Sequence, residues 1–100
     1  MKISWSAQAL CDLRAIRDFI ARDSKHYASL QIERLIKRVE RVERTAEMPS
    51  KGHPVHEYIE SDLREVHEGV YRIIYGIRDE EFQVVTIVHM RQRISDRRLR

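Results

Sequence analysis

Several arginines and one histidine interrupt or follow the most apolar part of this 100-residue chain. Arg72 lies within the run Val70-Tyr71-Arg72-Ile73-Ile74-Tyr75-Gly76-Ile77, and His89 and Arg91 close the run that begins at Phe82. Arg93, Arg97 and Arg98 extend the series toward the C-terminus. Guanidinium groups hold phosphates and carboxylates through paired, charge-assisted hydrogen bonds. An imidazole exchanges a proton near neutral pH. Together these groups could stabilise charge on a phosphate while a proton moves, or dock on a nucleic acid or an acidic protein surface. The plainer reading is structural. A charge among apolar residues must find a partner, and Glu65 on the neighbouring strand is the expected partner of Arg72. A lone histidine at a strand end is expected to be hydrogen-bonded to a neighbour, and an arginine-rich terminus is expected to be solvated.

The elements that must position these residues follow from periodicity. Residues 70–77, the acidic turn Arg78-Asp79-Glu80-Glu81 and residues 82–90 form a β-hairpin. Strict alternation puts Val84, Thr86, Val88 and Met90 on one face of its second strand and Val85, Ile87, His89 and Arg91 on the other. Both faces are largely apolar, so that strand should be covered on both sides. Residues 62–67 read as a further strand, joined to the hairpin through Glu68-Gly69. At the other end of the chain, residues 2–5 alternate as a short strand, and Ser6 is a fitting helix cap. Ala9, Leu13, Ile16 and Ile20 then make a helical stripe that ends near Arg22. Ser24 can cap a second helix whose seam is Ala28, Ile32, Leu35, Val39, Val42 and Ala46. Pro49 stops it, and residues 50–59 read as a loop. Helices first and strands afterwards predict an α+β fold: an N-terminal strand and an antiparallel helical hairpin, packed on a mainly antiparallel sheet of three to four strands in the order β-α-α-β-β-β.

Length predicts a single domain over residues 1–100. The formal net charge is +3, unevenly spread: residues 57–81 hold eight acids against three arginines, while residues 91–100 hold five arginines against Asp96. One cysteine, Cys11, allows no internal disulfide, and no apolar run is long enough to span a membrane, so a cytoplasmic location is expected. His53-x-x-His56 is a single closely spaced pair with no matching second pair, which argues against structural zinc. No glycine-rich phosphate loop is present, and no cofactor is expected.

The ordered motifs carry a family resemblance. Trp5-x-x-x-Ala9-x-x-Asp12-Leu13-x-x-Ile16-x-x-Phe19-Ile20 resembles the opening of ParE-type toxins. Pro49 and Gly52, Arg64-Glu65-Val66, Tyr71-Arg72-Ile73-Ile74-Tyr75 and Val88-His89-Met90-Arg91-Gln92-Arg93 match later parts of the pattern. The resemblance is to the ParE/RelE toxin superfamily of bacterial type II toxin–antitoxin systems, on the ParE-like side. It implies a growth-inhibiting toxin, a cognate ParD-like antitoxin, a toxin–antitoxin hetero-oligomer, and DNA gyrase as target.

The alternative branch implied by the same resemblance is a RelE-like, metal-independent, ribosome-dependent mRNA endonuclease. Such chemistry needs a base for the 2′-hydroxyl proton, cations for the phosphate and an acid for the leaving oxygen. Arg72, Arg91 and Arg93 match the family's arginine positions, and His89 is the one candidate base. The positions matching its lysine pair hold Leu63 and Glu65, and the tail after Arg93 holds neither tyrosine nor histidine. The proton-transfer part is therefore thin. The resemblance favours a non-catalytic toxin, with Arg91, Arg93, Arg97 and Arg98 as target-binding candidates. An inactive binding module of the same fold is the third reading.

Overall fold

The computed structural model describes residues 1–45, 52–58, 62–92, 94 and 99. Strand β1 (Lys2–Trp5) leads into helix α1 (Ala7–Ala21) and helix α2 (Lys25–Arg44). A two-residue strand β2 (His53–Pro54) and a 3-10 turn (His56–Tyr58) precede β3 (Arg64–Glu68), β4 (Tyr71–Arg78) and β5 (Glu81–His89). The sheet order is β1-β5-β4-β3-β2, parallel only between β1 and β5. The α+β class and the helices-then-strands order are as expected. The sheet reaches five strands because β1 joins it beside β5, and because His53–Pro54, within the stretch expected to be loop, pairs with Glu65 and Arg64. The second helix ends at Arg44 with Thr45 as its C-cap, and Ala46 and Pro49, expected to continue and stop it, lie outside the described residues.

Both helices start where their caps require. The Ser6 hydroxyl accepts from the Ala9 N–H at 3.0 Å and donates to the Val85 carbonyl at 2.6 Å, which fixes the start of α1 against β5. The Ser24 hydroxyl accepts from the Tyr27 N–H at 3.1 Å and opens α2 after a short joint. Ala28, Leu35, Val39 and Val42 of the expected seam are buried. Leu35, Val39 and Val42 join a core with Val66, Ile73, Tyr75, Phe82, Val84 and Ile87 on the sheet. Tyr75 and Phe82 stack at 4.5 Å within it. Gly52 lies against that layer with φ +74°, and a Cβ there would sit 2.1 Å from the Tyr75 hydroxyl oxygen. Only glycine meets both conditions.

Strand β5 does not alternate strictly. Ile74 pairs with Thr86 but Tyr75 pairs with Val84, so Val85 is an extra residue in a β-bulge. The bulge reverses the alternation beyond it. Val84 and Ile87 therefore share the helix-side core, while Val85 and Val88 belong to the opposite face. The expected grouping of Val84 with Val88 is corrected on this ground. Asp12 of α1 serves the bulged segment: its carboxylate accepts from the Thr86 hydroxyl at 2.5 Å and the Ile87 N–H at 2.9 Å, and Gln8 donates to it at 2.8 Å.

The far face of the sheet has its own small core. Val55, Ile74, Val88 and Ile94 are buried there, with Leu63, Val85 and Leu99 packed around them. Strand β5 is thus covered on both sides, as its composition demanded.

Candidate functional site

Arg72 stands opposite His67 in the β3–β4 register, and Glu65 lies two residues from His67 on the same strand. That diagonal brings a carboxylate to the guanidinium. Arg72 Nε donates to Glu65 Oε2 at 2.8 Å and Nη2 donates to Oε1 at 3.0 Å. A second fork comes from Glu57 in the 3-10 turn: Nη2 donates to Oε1 at 2.7 Å and Nη1 to Oε2 at 2.9 Å. Nη1 also reaches the Gln92 carbonyl at 3.4 Å. A guanidinium has five N–H donors, and these five bonds engage them all. Arg72 and Glu65 are 8% and 5% exposed, so the charges are desolvated and held by each other.

The electrostatics follow. Hydrogen bonds from Arg72 hold the Glu57 carboxyl down at about 2 against the opposing effect of burial, and the Ile94 N–H adds a further donor at 3.1 Å. Burial pushes the Glu65 carboxyl up, but hydrogen bonds from Arg72 and His67 outweigh it and the group lies below its ordinary value. The two carboxylates raise the Arg72 guanidinium further above its already high value. His67 Nε2 closes the network at 2.8 Å from Glu65 Oε2.

A cleft of about 600 Å³ opens over this network. His53, His56 and His67 line it, together with Met90, Arg91 and Gln92 from the turn that follows β5. Of the residues singled out in the sequence, Arg72 and Arg91 meet here. His89 is not among the lining residues. Its Nδ1 accepts from the Arg91 N–H at 3.1 Å, and its ring meets Tyr71 edge-on at 6.0 Å, which is the structural role of a strand-end histidine. Arg93, Arg97 and Arg98 lie outside the described residues. Sequence reasoning weighed the histidine pair of the loop only as a metal site and missed Glu57. The detectable signal for Glu57 was weak: an acid in a short loop, fifteen residues before Arg72.

The central cation, Arg72, has no donor left for a phosphate, and Arg91 offers the exposed positive charge at the rim. The chain is similar to a solved structure from a chromosomal ParDE toxin–antitoxin system of P. aeruginosa, with 18% identity and a TM-score of 0.75 over 89% of this chain and 95% of that one. It is also similar to a chain of the heterotetrameric YoeB–YefM toxin–antitoxin complex of Staphylococcus aureus, with 12% identity and a TM-score of 0.57 over 86% and 92%. No curated protein sequence matches it. The family model described as ParE toxin of type II toxin–antitoxin system, parDE, matches residues 3–94, and the chain belongs to that family.

Proposed function

We propose that this ParE-family toxin inhibits DNA gyrase by direct protein contact, without cutting nucleic acid, and that a ParD-like antitoxin neutralises it. The observation that carries the non-catalytic part is Arg72, whose five donors are all spent on Glu57, Glu65 and Gln92. A phosphate-stabilising arginine in a nuclease needs free donors. Family membership supports gyrase as the target, and the P. aeruginosa ParDE relative supports an antitoxin partner. Arg91 is the described candidate for target contact, and Arg93, Arg97 and Arg98 are proposed to act with it.

The test is a gyrase assay with purified toxin. Supercoiling should fail and stalled cleavage complexes should accumulate, and added antitoxin should reverse both. Normal supercoiling at micromolar toxin would rule gyrase out.

One observation favours a second reading. The three histidines and Arg91 of the cleft could serve RNA cleavage if the Arg72 clamp opened. Primer extension on ribosome-bound message would then show codon-positioned cuts that disappear in Arg91→Ala and His67→Ala. Toxicity unchanged in both variants eliminates it.

A further inference from the structure

Beside the Arg72 cleft lies a second groove of about 590 Å³, between the C-terminal half of α2 and the β3 edge. Arg38, Arg41 and Arg44 form its wall, and His53 and His67 form its rim. At its base, Val42 and Val66 are 3% and 6% exposed. Arg34 and Lys37 extend the same row of cations into an adjoining depression. Positions 34, 37, 38, 41 and 44 fall on one helix face by their three- and four-residue steps.

This charge is poorly neutralised. Among the described residues, Lys37 is paired with Glu33 at 2.6 Å and Arg41 with Glu68 at 3.6 Å, whereas Arg34, Arg38 and Arg44 make no ion pair. Of the two acids interleaved on this stretch of α2, Glu43 is taken by the Met1 amine at 2.5 Å. Arg38 is aimed by its neighbour: its Nε donates to the His67 carbonyl at 3.1 Å. Like charges at these spacings weaken a helix. Glu33 and Glu68 offset part of that penalty, and the three arginines without a carboxylate partner leave the row open to an outside anion.

The kind of anion follows from what the groove lacks. Protein interfaces centre on apolar and aromatic anchors and are depleted of charge at their core. Here the two valines are already buried, and among the described residues no aromatic side chain lines the groove. Nucleic-acid interfaces are far more positive. At a rise of about 1.5 Å per residue the cations from 34 to 44 cover roughly 15 Å, the length of about four stacked nucleotides. We infer that the α2–β3 groove binds the phosphodiester backbone of a nucleic acid, without reading its sequence. The site goes beyond the toxin reading and stands whether or not gyrase is the target.

Fluorescence anisotropy tests it, using the full chain with labelled single-stranded DNA, single-stranded RNA and duplex DNA of matched length, between about 50 and 200 mM salt. Binding should weaken linearly on a log–log salt plot. Arg41→Gln/Arg44→Gln should reduce that slope by about 1.4–1.8 and weaken low-salt binding about tenfold. Arg14→Gln/Arg17→Gln on α1 removes the same charge elsewhere and should leave binding nearly intact. Far-ultraviolet circular dichroism checks that both variants fold. The relative affinities of the three probes identify which nucleic acid supplies the backbone. The inference is overturned by any of four results: no salt-dependent binding to any probe, equal losses in the two double variants, loss only when Arg97 and Arg98 are replaced, or displacement by polyglutamate as effective as by an unlabelled oligonucleotide. The last would mark an acidic-peptide site instead.

Discussion

Arg72 shows how a residue that looks catalytic in a sequence becomes structural once its partners are counted. Two carboxylate forks hold it, one from an adjacent strand and one from a short turn. Truncating one member of such a buried network leaves the others charged and unpaired, which costs about 3–5 kcal/mol. Arg72→Ala is therefore expected to lower stability by that amount in urea unfolding. Arg72→Lys should recover only part of it, because one ammonium cannot match two forks. Glu57 gives the pH dependence. Its folded value is about 2 against an ordinary 4.5, so the folded state favours its ionised form. That contribution is complete above the unfolded value and fades as pH falls from 4.5 through about 2. Glu57→Gln should flatten this acid limb in a series of unfolding curves, and Glu65, displaced in the same direction, should retain a smaller one. The Arg72–Glu65 pair was legible because a short turn makes the two strands antiparallel neighbours, and Glu65 lies two residues from His67, the residue opposite Arg72, on the same face. Glu57 was not, since nothing local fixes where a short loop lays its acid.

At the scale of elements, the helices were the readable part. Their seams repeat every three or four residues, and Ser6 and Ser24 announce their starts. The phase of β5 was unreadable for a physical reason: Val84, Val85, Ile87 and Val88 are all apolar, so an inserted residue leaves no trace in the alternation. The mark of the bulge lies elsewhere, in Asp12, a buried carboxylate on an otherwise apolar helix face. Asp12→Ala would leave the Ile87 N–H without the carboxylate that accepts from it and remove the Thr86 hydroxyl's bond to Asp12, at about 1–3 kcal/mol for a buried polar group left unsatisfied. We expect Asp12→Ala to lower the midpoint of thermal unfolding well beyond Asp12→Asn, which keeps an acceptor. The β4–β5 turn offers the opposite case. Asp79 and Glu80 have φ of 52° and 59°, a geometry that suits Asn-Gly. Left-handed backbone costs a residue with a Cβ about 1–2 kcal/mol, part of which glycine returns as unfolded-chain entropy. Glu80→Gly should stabilise the protein by about 0.5–1 kcal/mol, read as a higher melting temperature.

The molecule as a whole is one sheet with unequal covers. The helix side has a broad core from two amphipathic helices, whereas the far side rests on Val55, Ile74, Val88 and Ile94. Ile94 does two things at once. Its side chain, 6% exposed, closes the far core, and its N–H donates to the carboxylate that clamps Arg72. The far cover and the charged network should therefore fail together. Ile94→Ala removes buried apolar surface worth about 2–5 kcal/mol, or several degrees of melting temperature per kcal/mol in a domain this small. If the Ile94 backbone also shifts, Glu57 loses a donor that holds its carboxyl low, and the acid limb of stability moves to higher pH. A change in melting temperature alone, with the acid limb unmoved, would show that the two functions of Ile94 are separable. Phe19→Ala is the matched control: that ring is 67% exposed on α1, and its loss should shift stability by no more than about 0.5 kcal/mol. The contrast between these two apolar residues measures how far the sheet depends on its thinner side.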